Sequence, residues 1–170
     1  MKSLLRFVCW ALGAVVALIA VVLVVARFSD GPLAIVAGGP FTTGQLVEGP
    51  EPDWSFIRDV AEVQFQSLEP ARSRTTWVLE HENKIYIPCG YMTTAWGKIW
   101  KQWPIEAEKD GRVILRVDGK LYERTLVRVK EGPELAPLLA QLADKYAGGN
   151  AIPLEAVSSG YLWIFQLAPR

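Results

Sequence analysis

Two groups of side chains in this 170-residue sequence have types and spacings that could do chemistry. The first is Arg72 and Arg74, just ahead of the β-rich run Thr75–Leu79. Guanidinium forks suit phosphate recognition, and an ordinary charged loop before a strand has the same composition. The second is Trp96, Trp100 and Trp103, with Lys98 and Lys101 between them. Offsets of four and three place the three tryptophans on one helix face. Three readings fit that face: a helix capping the end of a barrel, an aromatic wall beside a ring-shaped ligand with lysines reaching its phosphate, or a membrane-interface belt.

Other chemistry is poorly supplied. His81 is the only histidine, and no G-x-S-x-G nucleophile elbow is present. Glu80, His81 and Glu82 form a triplet, but neighbours in an extended segment point to opposite faces and no second His or Cys joins them. An exposed turn fits better than a metal site. Cys9 falls in an apolar segment, which leaves Cys89 alone in the remainder, with no intrachain disulfide and no nearby histidine to activate it. Cys89 reads as a small buried residue following a strand. Any catalysis would therefore rest on a bound cofactor, and no catalytic side chain is assigned.

Phe7 to Ala26 is one apolar run without a charge. As a helix it is about 30 Å long, the thickness of a bilayer core. It exceeds the about 7–15 apolar residues of a secretion signal and has no polar spacer before a cut after Ala26. An uncleaved single-pass anchor is expected over residues 1–27, with a cleaved signal as the rival. Lys2 and Arg6 precede the run, and Arg27 is balanced by Asp30. The positive-inside rule then keeps the N-terminus cytoplasmic and puts the domain on the outer side of the cell membrane.

The chain has 18 basic and 18 acidic residues, and Lys2, Arg6 and Arg27 precede every acidic one. The remainder of the chain is mildly acidic and has no basic stripe, which argues against nucleic acid as a partner. Residues 28–53 carry Gly31-Pro32, Gly38-Gly39-Pro40, Gly49-Pro50 and Pro52, punctuation that breaks regular elements. They are expected to form a tether that docks in part through Leu33, Ile35, Val36 and Phe41.

From residue 54 to 170 the pattern predicts one domain of short strands and two helices. Ala61, Val63 and Phe65 alternate with polar residues. Thr75–Leu79 and Lys84–Pro88 read as a hairpin joined by Glu80–Asn83. Asp118-Gly119 is a favoured type I′ turn between two alternating runs. In the first run Val113, Leu115 and Val117 share a face. In the second Leu121, Thr125, Val127 and Val129 are expected to share one, with Glu123 interrupting it. Thr94–Lys109 reads as a helix broken at Pro104. Leu135, Leu138, Leu139, Leu142 and Tyr146 fall at helical spacing closed by Gly148-Gly149, and Gly160–Leu167 is a last strand. The expected fold is mainly β within an α+β class: a small antiparallel split β-barrel with flanking helices, preceded by one transmembrane helix.

Four segments in this order carry a resemblance: Arg74 to Leu79, Lys84 to Pro88, Lys98 to Pro104, and Asp110 to Tyr122. The pattern resembles the split-barrel family of pyridoxamine-phosphate-oxidase-like flavoproteins and deazaflavin-dependent nitroreductases, over about residues 58–130. The resemblance implies FMN or deazaflavin as cofactor. It places the phosphate on Arg74 and on Lys98 or Lys101, with Thr75, Thr76 and Pro88 near the ring or its side chain. It also implies a homodimer that shares the site. Departures from the family pattern are Gly111 in place of a proline and wide spacing among Thr93, Thr94 and Lys98. These readings leave two functions: a membrane-anchored oxidoreductase acting on a small acceptor, or a non-catalytic envelope module that uses the barrel as a scaffold.

Overall fold

The computed structural model describes residues 2–170. Helix α1 (Lys2–Arg27) is apolar along its length and almost wholly exposed, and it is long and apolar enough to cross a membrane. An irregular strap comes next. It leads into β1 (Gln45–Leu46), a 3-10 turn at Ser55–Asp59, β2 (Glu62–Ser67), β3 (Arg72–Trp77), β4 (Leu79–His81) and β5 (Lys84–Cys89). Two short helices, α2 (Ala95–Trp100) and α3 (Trp103–Lys109), precede the hairpin β6 (Arg112–Val117) and β7 (Lys120–Val129). Helices α4 (Leu135–Tyr146) and α5 (Glu155–Ser158) and strand β8 (Trp163–Pro169) complete the chain.

The main strands form one antiparallel sheet in the order β3-β2-β6-β7-β8-β5-β4, with β1 added in parallel to the start of β7. The class is the expected one: mainly β, antiparallel, flanked by helices and preceded by an apolar helix. The sheet curls so that β3 at one end and β5 near the other line the same groove.

Burial on both faces explains the sequence pattern. Inside the curl lie Trp54, Ile57, Val63, Phe65, Ile85, Ile87, Leu115, Tyr122, Leu126 and Phe165. Against the outer face, α4 packs Leu135, Leu138, Leu139 and Leu142 onto Leu79, Tyr86, Val129 and Ile164. β5 therefore reads as a continuous apolar run, as strands covered on both sides do. The α4 stripe has the expected membership, and Gly148 (φ 61°) and Gly149 (φ 81°) end the helix, the Gly149 amide donating to the Ala143 carbonyl.

Some expectations are corrected. Thr75–Leu79 is not one strand of a hairpin: the ladder breaks at Val78, where the chain passes from one end of the sheet to the other. β3 pairs with β2, and only β4 pairs with β5, across a turn at Glu82 and Asn83, both with positive φ. In β7 the inward residues are Tyr122, Arg124 and Leu126, not the more apolar Leu121, Thr125 and Val127. Polarity is tolerated there because Arg124 pairs with Glu51 at 2.9 Å and lies over the Trp54 and Tyr122 rings. The Asp118-Gly119 turn has φ of 49° and 71°, as a type I′ hairpin requires.

The strap is held along β2, β3 and β6. Arg116 donates to Asp30 at 2.9 Å and lies 4.0 Å from the centre of the Phe41 ring. Asp30 also accepts from the Thr42 amide and the Thr43 hydroxyl. Gly38 bridges to Ser73, and a Cβ on Gly38 would fall 1.8 Å from the Gly31 carbonyl oxygen, so only glycine allows this fold-back.

Candidate functional site

A groove of about 940 Å³ runs along the split. One wall is β3, which is at the end of the sheet; the strap bridges its outer edge at Ser73 and leaves the edge free beyond that point. A free edge exposes residues of both parities, so Arg72, Arg74, Thr75, Thr76 and Trp77 all border the groove although neighbours point to opposite faces. The opposite wall comes from the end of β5 and the loop after it, with Pro88, Cys89, Gly90 and Tyr91, followed by Trp100 and Lys101. The end of α4 gives Leu142 and Tyr146. Strap residues Ala34–Ala37 and Leu23 of α1 close one side.

The basic side chains are positioned by specific contacts. Arg72 donates to the Ala37 carbonyl at 3.1 Å, which fixes it between β3 and the strap. Burial lowers its basicity, and the neighbouring Arg27 charge lowers it further. Arg74 is more deeply set. Burial again depresses its proton affinity, the Glu106 carboxylate opposes that, and Arg72 adds to it. Lys101 donates to the Gly90 carbonyl at 3.0 Å and lies 5.4 Å from the Tyr91 ring centre. Arg72, Arg74 and Lys101 thus gather on one groove whose lining holds a single carboxylate, Glu62, while Glu106 stands behind Arg74 and Arg27 beside Arg72. An anionic group would relieve that excess.

Of the residues assigned from sequence, Arg74, Thr75, Thr76, Lys101 and Pro88 come together on the groove, while Lys98 points into solvent away from it. The reason is local. Thr94 caps α2 by accepting from the Gly97 amide at 2.9 Å, and a Cβ on Gly97 would fall 1.8 Å from the Tyr91 carbonyl oxygen. The Gly97 side of the helix is pressed on the Tyr91 loop, and Lys98 is left facing outward.

The three tryptophans do not share a face. The helix breaks at Lys101–Gln102, ahead of Pro104, which sits in the first turn of α3 where its missing amide is no loss. Trp96 and Trp100 stack at 6.1 Å and stay exposed. Trp103 instead enters the core, 5.0 Å from Phe65 and 5.4 Å from Phe165. It is a core residue that also lines the groove.

Cys89 is buried with its thiol 3.6 Å from the Met92 sulfur. Burial pushes it up to about 11 although Lys101 pulls the other way, which favours the neutral thiol over the thiolate. His81 ends β4 at the hairpin turn, 4.0 Å from Glu82, and is not among the residues that line the groove.

Sequence reasoning missed Glu106, Tyr91, Tyr146 and the strap wall. Tyr146 is the one with a readable signal, an aromatic at the end of the α4 stripe. Its ring stacks on Trp77 at 4.5 Å and 7°.

No protein-family model matches the sequence, and no curated protein does. Among solved structures, the chain is similar to a conserved hypothetical protein from Mycobacterium tuberculosis, with 13% identity, 77% of this chain and 85% of that chain covered, and a TM-score of 0.47. It is also similar to the heme storage protein HutZ from Vibrio cholerae, at 10% identity, 71% and 89% coverage and a TM-score of 0.44. A third is a proposed pyridoxamine 5′-phosphate oxidase from Listeria innocua, at 10% identity, 68% and 89% coverage and a TM-score of 0.43.

Proposed function

We propose that the groove binds a cofactor made of a planar ring system and a phosphate, FMN or a deazaflavin, and that the chain is a membrane-anchored oxidoreductase acting on a small acceptor. One observation carries this reading. Arg72, Arg74 and Lys101 gather with the Thr75 and Thr76 hydroxyls on a groove of about 940 Å³ that is otherwise lined mainly by aliphatic residues and by the aromatic side chains of Trp77, Tyr91, Trp100 and Tyr161. The volume is of the size that holds a cofactor, and the donor set suits one anionic end and one flat apolar end.

In this reading Arg74 and Lys101 hold the phosphate and Thr75 and Thr76 donate to its oxygens or to the chain beyond it. Arg72 is committed to Ala37 and adds charge. The aromatic side chains would pack against the ring and help to exclude water from it. When bound, the ring would supply the hydride or electron chemistry that no side chain of the groove offers. The anchor reading places the domain outside the cytoplasm, from the positions of Lys2 and Arg6.

The test uses the full chain in detergent, because Leu23 and Ala34–Ala37 belong to the groove wall. FMN and a deazaflavin are titrated separately, following cofactor fluorescence. Saturable binding that Arg74→Ala weakens supports the proposal. Absence of saturable binding by folded protein overturns it and leaves the scaffold reading, for which the exposed Trp96–Trp100 pair is the natural contact surface.

A further inference from the structure

The α2 surface has an apolar face that nothing in the domain covers. Ile99 is 72% exposed, Trp96 69% and Trp100 55%, although all three lie on a six-residue helix of a folded domain. Large apolar side chains grouped in this way mark a surface that is buried against something else.

We infer that this face docks on the same bilayer that receives α1, so that the groove opens along the membrane surface. The inference rests on α1 being a membrane span and is independent of which cofactor fills the groove. Two observations identify the occupant. The first is continuity. Trp100, Tyr91 and Lys101 line the groove that Leu23 also lines, and Leu23 lies within the apolar run of α1, four residues before its end at Arg27. Four residues of helix are about 6 Å, so the groove is about one helical turn from the end of the run. The α2 face borders that same groove, so it lies beside the point where the helix leaves the bilayer.

The second observation is composition. The face combines two stacked indoles with an isoleucine, and Lys98 projects from the same helix into solvent. Tryptophan settles at the headgroup level, where its ring is apolar and its N–H stays wet, and lysine meets the phosphates there. The strap adds Ile35 on the groove side, largely exposed, and Phe28 directly after the end of α1, also largely exposed. The outward turn of Lys98, which removes it from the groove, gives it this second place.

The test reconstitutes the full chain in vesicles of phosphatidylcholine and phosphatidylglycerol and uses spin labels. One sample carries the label on the native Cys9 in α1. Others carry it at Ile99→Cys or at Glu131→Cys in a Cys9→Ser background; Glu131 is an exposed loop residue, and Cys89 is buried. The expected result is a label at 99 that is severalfold more accessible to oxygen than to a water-soluble nickel complex, relative to the label at 131. A water-like label at 99 with a lipid-like label at 9 overturns the docking and keeps the span. Strong dipolar broadening between labels at 99 assigns the face to a second copy of the chain and overturns the docking. A water-like label at 9 overturns both span and docking.

Discussion

Arg74 and Glu106 stand 3.8 Å apart, an ion pair too long for a hydrogen bond. Arg74 Nη1 and Glu106 Oε2 are both buried and find no hydrogen-bond partner among the described residues. Buried donors of this kind are ordinarily satisfied. The pair holds a guanidinium in the groove wall without saturating it, a state suited to a side chain that turns to meet an incoming anion.

Removing that guanidinium, Arg74→Ala, should weaken FMN or deazaflavin binding by about 10- to 100-fold, the effect of losing a charged hydrogen bond. Lys101→Ala should act in the same direction. Lys98→Ala should leave affinity unchanged, because Lys98 faces solvent away from the groove. Cofactor fluorescence titrations of the three variants check the ranking, and equal losses at Lys98 and Lys101 would contradict the assignment.

Glu106→Gln should have the opposite sign. The carboxylate competes with any anion for Arg74, so neutralising it should tighten phosphate or cofactor binding by roughly threefold to tenfold. Inorganic phosphate displacing bound cofactor is a sufficient readout. A loss of affinity would mean that Glu106 positions Arg74 more than it competes with the ligand.

Asp30 makes the strap sensitive to acid. Burial opposes its ionisation, but the Thr43 hydroxyl, the Thr42 amide and the Arg116 charge outweigh it and hold the carboxyl at about 2, against 3.8 for a free one. A carboxyl held below its unfolded value contributes stability that is complete above about pH 4 and is lost as the pH falls through the folded value. Asp30→Asn should therefore lower the denaturation midpoint near neutral pH and converge with the parent only as the pH falls below about 2. Asp110 is held at about 2 as well, chiefly by Arg112, and remains in both proteins, so their difference isolates Asp30.

The seam of the barrel depends on the end of α4. Lys145 donates to the carbonyls of Ile57, Val60 and Val78, and the Tyr146 hydroxyl serves Ala61 and both backbone groups of Val78. The Val78 groups are those left without a ladder partner where β3 gives way to β4, and the others belong to the turn that leads into β2. Tyr146→Phe should cost about 1–3 kcal/mol, the penalty for stranding such groups, while the ring still stacks on Trp77. Lys145→Met should cost at least as much. Urea unfolding of the full chain measures both, and unchanged cofactor affinity in Tyr146→Phe would separate the seam from the groove.

Several elements were legible because the signal was local. The Asp118-Gly119 turn requires positive φ, and the α4 stripe is a period that neighbours cannot imitate. The break at Val78 was not legible. Thr75 to Leu79 has uniform strand propensity, and what divides it is hydrogen bonding from Lys145 and Tyr146, about 70 residues later. The inward face of β7 was misread because hydrophobicity favoured Leu121 and Val127, whereas Arg124 is admitted by Glu51 and Trp54, far upstream. For the site, Arg74 and Lys101 were readable as charges near strand and helix ends. Spacing left Lys98 and Lys101 as alternatives, and only Lys101 lines the groove, because Gly97 packs closely on Tyr91, which spacing does not encode.

Ala26 has no exposed surface, and a Cβ added to Gly39 would fall 2.6 Å from the Arg27 carbonyl oxygen. A protease that severs a leader needs several residues in extended form on both sides of its cut. The folded strap denies it that access. A cut after Ala26 therefore requires a chain whose strap has not yet folded onto β2 and β3.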